Sequence, residues 1–179
     1  MKNKNNIYLV GLMGSGKTTV GKLASRRLKK IFIDSDHVIE EKTGVKVPLI
    51  FEYEGEDGFR KRETKALEEL VTKDGIILAT GGGIILEKKN QKLLTDHGLV
   101  IYLKADHDLL AHRLKNDKSR PLLQGVDITK KLKELSEIRD PLYRAIADCV
   151  IDTKNKRAAD IVNEIDMMIK RLWRQSPLI

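Results

Sequence analysis

The chain has 179 residues, of which 41% are hydrophobic and 34% charged, and this composition lies in the usual range of one globular domain. No apolar run approaches the roughly 20 residues that a membrane span needs, and the first apolar segment is too short for the core of a signal peptide. We therefore exclude a membrane-spanning protein and expect a cytoplasmic protein with a single domain over residues 1–179. The one cysteine, Cys149, excludes an intramolecular disulfide bond.

The net charge of +8, from 34 Lys and Arg against 26 Asp and Glu, predicts an anionic partner. Aromatic residues amount to only 4%, and the lysines are scattered along the chain. Because nucleic-acid-binding proteins usually combine a dense basic stripe with aromatic stacking residues, we expect no nucleic-acid partner. Charge alone leaves lipid headgroups and a small phosphate compound open.

Short apolar runs typical of β-strands alternate with longer segments of helical period. Parallel strands need crossover connections, and helices lie where those connections are needed. The alternation predicts an α/β fold in three layers, with helices on both faces of a five-stranded parallel sheet. The predicted strands are Ile7–Val10, Ile31–Ile33, Ile76–Ala79, Val100–Leu103 and Cys149–Ile151, and the predicted last helix runs from about Arg157 to Trp173.

Two polar stretches interrupt this alternation. Asp36–Val71 has helical patterning around turns at Gly44 and at Gly55–Gly58, which predicts a small helical insertion between the second and third strands. Asn116–Asp127 has the composition of a flexible loop between two helices, and we predict that it is a lid.

A phosphate-binding loop is the most specific motif. Gly11–Thr18 fits G-x-x-x-x-G-K-[ST], directly after the first predicted strand and directly before the helical stretch Lys17–Leu28. The backbone N–H groups of such a loop and the following helix N-terminus bind phosphate, and a glycine-rich turn without a nucleotide is the alternative. We predict that Lys17 contacts the β- and γ-phosphates and that Thr18 contacts Mg²⁺. The predicted ATP contacts of this loop are Gly14, Ser15, Gly16, Lys17, Thr18 and Thr19.

Further candidate residues follow the second and third strands. Asp34 and Asp36 would point to the same side of an extended chain, so one could serve a metal and the other a substrate hydroxyl. The alternative for each is a helix N-cap. Three consecutive glycines, Gly81–Gly83, follow the third strand, and such a run costs stability. We predict that a ligand approaches the backbone closely there, and a plain flexible turn is the alternative.

Arg60, Arg120 and Arg139 lie near loops or helix ends, where a planar, permanently charged fork suits a carboxylate or an anionic transition state. Arg120 lies in the predicted lid, and an arginine that arrives on closure stabilises charge on the transferring phosphoryl group. Taken singly, each of these residues would more often be a solvated surface arginine.

Six motifs occur in order: Gly11–Thr19, Asp34–Asp36, Gly55–Arg60 with Glu63, Thr80–Gly83, Ser119–Leu123 and Arg139–Arg144. In order and spacing, they resemble the shikimate kinases, P-loop kinases of the nucleoside monophosphate kinase-like group that phosphorylate the 3-hydroxyl of shikimate. The resemblance covers residues 7 to about 152. It implies a monomer, a strand order of 2-3-1-4-5, a helical shikimate-binding segment, and ATP with Mg²⁺.

The resemblance also implies residue roles. Asp36 would hold the reacting hydroxyls, Arg60 and Arg139 would clamp the carboxylate, and Gly82 would contact substrate through its N–H group, with Gly81 and Gly83 beside it. Whether Asp36 orients the hydroxyl or accepts its proton late stays open.

On the nucleotide side, the resemblance implies that Asp34 reaches Mg²⁺ through water and that Arg120 contacts the phosphates. Arg113 would lie against adenine, and a loop near Thr153–Arg157, including Lys156, would contact the nucleoside. The implied catalytic residues are Lys17, Asp36 and Arg120.

Two other functions compete with this interpretation. A gluconate kinase has the same fold and also phosphorylates a hydroxy acid, but the pair Asp34 and Asp36 together with Gly81–Gly83 argues against it. A nucleotide-binding or RNA-binding regulator without catalysis is the second alternative, and the intact Lys17 and Thr18 argue against that one.

Overall fold

A computed structural model of the chain describes residues 5–117 and 120–174, and side chains up to residue 171. Two predicted strands, the first and the third, have the bounds expected from the sequence, and the others extend by one residue at one or both ends. The strands are β1 (Ile7–Val10), β2 (Ile31–Asp34), β3 (Ile76–Ala79), β4 (Leu99–Lys104) and β5 (Cys149–Asp152). They form one parallel sheet of order β2-β3-β1-β4-β5, which confirms the predicted fold class and strand order.

Helices connect the strands, as parallel pairing requires. The helices are α1 (Lys17–Leu28), α2 (Ser35–Thr43), α3 (Val47–Leu70), α4 (Lys88–His97), α5 (His107–Leu114), α6 (Ile128–Ile146) and α7 (Ala158–Arg174). Two short 3₁₀ helices span Ile84–Leu86 and Pro121–Leu123.

Both faces of the sheet are buried, which explains why the strands read as continuous apolar runs. Successive side chains point to opposite faces, so Ile7 and Leu9 of β1 pack with α1 and α7, whereas Tyr8 and Val10 pack with α3, α4, α5 and α6. The result is the predicted three-layer arrangement, in which the sheet holds the start of α1 at a fixed place.

The segment between β2 and β3 consists of α2 and α3, with a small apolar cluster of its own around Ile39 and Phe59. Gly44 ends α2, as the sequence predicts. The second predicted turn is narrower than expected, because only Gly55 leaves the helical conformation and Gly58 lies within the helix. Helix α3 is therefore kinked at Gly55, and its second half carries Arg60 into the centre of the molecule.

The predicted lid, Asn116–Asp127, falls partly outside the described residues, because the structure leaves out 118 and 119. Its described part holds one 3₁₀ turn, in which Leu123 packs into the core. Asp127 caps α6 by accepting a hydrogen bond from the Lys130 N–H group at 3.0 Å. Among the helices of the described ranges, none is both long and apolar enough to cross a bilayer.

Candidate active site

One cleft of about 730 Å³ opens at the carboxyl ends of the strands. Ligands of open α/β sheets bind at this edge. The structure places every site residue predicted above in the walls of this cleft. They are Gly14–Thr19, Asp34, Asp36, Arg60, Gly81–Gly83, Arg113, Arg120, Arg139 and Lys156.

The phosphate-binding loop links β1 to α1, with Gly14 and Gly16 at φ values of 77° and 96° that favour glycine. Lys17 lies under this loop and is only 8% exposed. Its ammonium group donates hydrogen bonds to the carbonyl oxygens of Gly11, at 2.7 Å, and Leu12, at 2.8 Å. Burial, and secondly the nearby charge of Arg120, lower the pKa of Lys17 from 10.5 to about 8.

Thr18 and Asp34 face each other across the start of α1 and the end of β2. The Thr18 hydroxyl donates to Asp34 Oδ2 at 2.8 Å, while Asp34 Oδ1 accepts the Asp36 N–H group at 3.1 Å. Asp34 is therefore both the N-cap of α2 and the partner of the loop threonine. A hydroxyl and a carboxylate oxygen side by side are the hard ligands that Mg²⁺ prefers, so these residues fit the ion that the sequence predicts.

The expectation that Asp34 and Asp36 point to the same side of an extended chain is wrong. Helix α2 begins at Ser35, which places Asp36 in its first turn. Asp36 Oδ1 is buried and has no hydrogen-bond partner within the described ranges. Burial, and secondly the charge of Asp34, raise the pKa of Asp36.

Arg120, from the predicted lid, lies in the wall of the cleft beside Asp36. Its Nη1 is 3.7 Å from Asp36 Oδ2, and its Nε donates to Asp117 Oδ2 at 3.3 Å. The Ser119 position of the same sequence motif lies outside the described residues.

Arg60 is held between two glutamates of its own helix. Its Nη1 donates to Glu63 Oε2 at 2.6 Å, and its Nη2 donates to Glu56 Oε1 at 2.9 Å. Glu63 is fully buried, and this burial raises its pKa from 4.5 to about 7 against the opposing effect of Arg60. Sequence reasoning assigned no role to either glutamate, although the spacing Glu56, Arg60, Glu63 places all three on one helix face.

Arg139 reaches the cleft from α6 and is only 2% exposed. Its Nε and Nη1 are buried without a hydrogen-bond partner among the described residues. Desolvation lowers the pKa of this guanidinium. The group nevertheless stays charged, because arginine is protonated in proteins at ordinary pH. Such a buried cation with unused donors is suited to an anionic ligand.

Two of the three glycines after β3, Gly81 and Gly83, are required by the side chains packed against them. A Cβ at Gly83 would collide with the Arg60 guanidinium, and one at Gly81 would collide with Glu63. Gly81 donates its N–H group to Ser35 Oγ at 2.9 Å. The N–H groups of Gly82 and Gly83 have no partner in the part of the chain that the structure describes, so the turn offers donors to a ligand.

The predicted nucleoside contacts lie at the other end of the cleft. Arg113 Nη1 donates to the carbonyl oxygen of Gly14 at 3.0 Å, which ties α5 to the phosphate-binding loop. Lys156 Nζ pairs with Glu164 at 2.8 Å. Thr153, the first residue of the loop predicted to contact the nucleoside, directly follows β5 and is 1% exposed.

The fold and the cleft define a class of protein. A phosphate-binding loop with its lysine and a Mg²⁺-suited oxygen pair adjoins a second set of two arginines and a half-buried aspartate. This is the arrangement of a P-loop kinase whose acceptor is a small anionic compound.

Comparison with known proteins identifies the family. The sequence model of the family described as "Shikimate kinase" matches residues 13–170. A shikimate kinase of Thiobacillus denitrificans is 52% identical over 159 residues, 89% of this chain and 87% of the relative. The solved structure of a shikimate kinase from Acinetobacter baumannii, in complex with shikimate, has 47% identity and a TM-score of 0.92, covering 96% of each chain. The chain belongs to the shikimate kinase family and is an ATP-dependent kinase.

A gluconokinase from Sinorhizobium meliloti has a TM-score of 0.62 and 17% identity, and covers 99% of this chain and 100% of its own. At that identity, the likeness extends to the fold alone.

Proposed function

We propose that the chain transfers the γ-phosphoryl group of ATP to the 3-hydroxyl of shikimate, giving shikimate 3-phosphate and ADP. The observation that carries this proposal is that Asp36, Arg60 and Arg139 line the same cleft as the phosphate-binding loop. The family membership, and the relative whose structure contains shikimate, support it.

The acceptor end of the cleft matches the chemistry of shikimate, which has one carboxylate and vicinal hydroxyl groups. Arg139 has two buried N–H donors without a partner among the described residues, and Arg60 lies beside the same turn. A guanidinium fork binds a carboxylate through paired hydrogen bonds. We assign the carboxylate to Arg60 and Arg139, and a substrate oxygen to the N–H group of Gly82.

On the donor side, we assign the phosphates to the N–H groups of the loop and to Lys17. Its ammonium group is now bonded to two carbonyl oxygens of the loop. It therefore has to exchange these acceptors for phosphate oxygens when ATP binds. Arg113 and Lys156 are assigned to the nucleoside.

We assign Mg²⁺ to Thr18 directly and to Asp34 through water. When bound by these residues, the ion would supply charge neutralisation for the phosphates. Asp34 also caps α2, so the same side chain fixes the start of that helix and with it the position of Asp36 in the first turn. The Asp34 carboxylate therefore links Thr18, assigned to Mg²⁺, with Asp36, assigned to the acceptor hydroxyl.

In the reaction, the 3-oxygen of shikimate forms a bond to the γ-phosphorus while the bond from that phosphorus to the β,γ-bridging oxygen breaks. Phosphoryl transfer depends mainly on positioning and charge neutralisation. Asp36 orients the hydroxyl and takes its proton as the new bond forms, which its raised pKa favours. Arg120 and Lys17 stabilise the negative charge on the transferring group.

The regiochemistry is tested on the product. After incubation with MgATP and shikimate, the isolated product is expected to gain the mass of one phosphoryl group. Proton–phosphorus coupling in its NMR spectrum is expected at carbon 3. Phosphate on another hydroxyl would contradict the assignment of Asp36. The monomeric state and the cytoplasmic location stay predictions from the sequence.

A further inference from the structure

A tyrosine behind the glycine turn has no role in the mechanism so far. Tyr143 lies on α6, one turn after Arg139, and is fully buried. Its hydroxyl donates a hydrogen bond to the carbonyl oxygen of Gly82. The Arg139 guanidinium lies beside the same turn, with its Nη1 3.7 Å from the position that a Cβ at Gly82 would take. Tyr143 therefore bonds to one of the groups assigned to shikimate and lies one helical turn from another.

The tyrosine ring is held independently of its hydroxyl. It stacks on the ring of Tyr102, with centroids 4.8 Å apart and an interplanar angle of 29°. Tyr102 in turn donates to Asp140 Oδ1 at 2.8 Å, and Asp140 Oδ2 accepts from Arg144 Nε at 2.6 Å. Removing the Tyr143 hydroxyl therefore leaves the ring packed in the same place.

The glycine turn needs such an anchor. Glycine has more backbone freedom than any other residue, and three in a row allow many orientations of the peptide groups. The hydroxyl of Tyr143 fixes the Gly82 carbonyl, and Ser35 fixes the N–H group of Gly81 on the other side. The N–H group of Gly82 lies between these two fixed points.

The tyrosine hydroxyl stays protonated at working pH, because burial raises its pKa. It therefore remains able to donate to the Gly82 carbonyl oxygen. Arg139 Nε and Nη1 are without partners among the residues described, so the fixed turn lies beside donors that a ligand can use.

We propose that Tyr143 is a positioning residue for the acceptor substrate, which holds the Gly82 peptide in the orientation beside the Arg139 guanidinium that shikimate requires. The proposal rests on the assignment of Arg139 and Gly82 as shikimate contacts. It predicts an effect on shikimate binding and none on ATP binding, because the phosphate-binding loop has other anchors.

The test compares Tyr143→Phe with Tyr102→Phe, which removes a hydroxyl from the other ring of the same stack. Steady-state kinetics with each substrate varied gives the Michaelis constants, calorimetric titration gives the shikimate affinity, and thermal unfolding reports stability. For Tyr143→Phe, we expect the KM and Kd for shikimate to rise about tenfold, the effect of losing one buried hydrogen bond. The KM for MgATP is expected to stay unchanged. Tyr102→Phe is expected to lose stability but to keep both Michaelis constants.

A third variant, Arg139→Ala, tests the substrate contact of Arg139 separately from the positioning role of Tyr143. If it leaves the KM for shikimate unchanged, the assignment of the substrate contact is wrong. If it raises that KM while Tyr143→Phe behaves like the unmodified chain, the substrate contact stands and the role of Tyr143 is overturned. Equal increases in Tyr143→Phe and Tyr102→Phe would also overturn it, because they would show a general effect of the ring stack.

Discussion

Arg120 Nη1 lies 3.7 Å from Asp36 Oδ2, so the arginine of the predicted lid faces the carboxylate assigned to the acceptor hydroxyl. The charge of Arg120 opposes the rise in the pKa of Asp36 that burial and Asp34 cause. We propose that Arg120 transfers from Asp36 to the phosphates when ATP binds. Without that opposing charge, Asp36 would be a better proton acceptor.

Replacement of Asp36 by Asn tests this role. Asn keeps the shape but cannot take a proton, and we expect turnover to fall by about 100-fold or more, with little change in the KM for MgATP. Steady-state kinetics checks both values. Asp57→Asn, which removes an exposed carboxylate from the same insertion, serves as control. Unchanged turnover in Asp36→Asn would remove this residue from the catalytic set.

The carboxylate clamp is tested by Arg139→Lys. Because a point charge replaces a planar fork, we expect the KM for shikimate to rise about tenfold or more, with a smaller effect on the KM for MgATP. Arg144→Lys, at an exposed position of the same helix, is the control and is expected to keep wild-type kinetics. A KM for shikimate unaltered in Arg139→Lys would count against the clamp.

The glycine turn gives a steric prediction. The backbone of Gly83, at φ −94°, accepts any residue, but a Cβ there would collide with the Arg60 guanidinium. We expect Gly83→Ala to displace Arg60 and raise the KM for shikimate. Gly44→Ala is the opposite case, because its φ of 73° strains a Cβ that has nothing within 4 Å.

The Gly44→Ala variant should therefore lose about 1 kcal/mol of stability and keep its kinetics. Kinetic assays and denaturant unfolding of both variants separate the two effects. Normal shikimate binding by Gly83→Ala would show that Arg60 is free to move.

Glu63 predicts a pH dependence of stability. Its folded pKa of about 7 is above its ordinary value of 4.5, so the folded state binds more protons between these values. Its contribution therefore lowers the free energy of unfolding as pH rises through this window, by an amount on the order of 3 kcal/mol. Glu63→Gln does not titrate.

We expect the stability of Glu63→Gln, relative to the unmodified chain, to improve from about pH 5 to about pH 8. Denaturant unfolding at several pH values measures this difference. A difference that stays constant over the range would show that Glu63 is ionised throughout.

Lys17 predicts a second pH dependence, in the kinetics. With its pKa lowered to about 8, Lys17 is half deprotonated near that pH and largely neutral well above it in the nucleotide-free enzyme. We expect kcat/KM for MgATP to fall above about pH 8, because this ratio reports the free enzyme. The phosphates of bound ATP restore the charge, so kcat should stay level to higher pH. A flat kcat/KM profile through about pH 9.5 would contradict the lowered pKa.

The sequence predicted those parts of the site that depend on local pattern. The phosphate-binding loop and the glycine turn are continuous motifs that follow apolar strands, so their positions at the sheet edge follow from the parallel topology. Arg60 and Arg139 were found because an arginine near a loop suits an anion, although the sequence alone did not show their burial.

Other features depend on packing between distant segments. The contact of Tyr143 with Gly82 joins residues 61 positions apart, and no local pattern indicates it. The pairing of Arg60 with Glu63 is local, but the complete burial of that glutamate follows only from how α3 packs against the glycine turn. The start of α2 at Ser35 was missed because the capping role of Asp34 was treated as an alternative to its metal role, whereas the side chain serves both geometries.

The central claim is tested most directly by ADP release from MgATP with the purified protein, in parallel reactions with shikimate, with gluconate and without an acceptor. We predict that ADP is released only when shikimate is present and that the product is heavier by one phosphoryl group. Gluconate is expected to give no release. Release with gluconate alone would move the chain to the other kinase activity of this fold. Measurable ATP binding without release in any reaction would contradict catalysis and favour a regulatory nucleotide-binding protein.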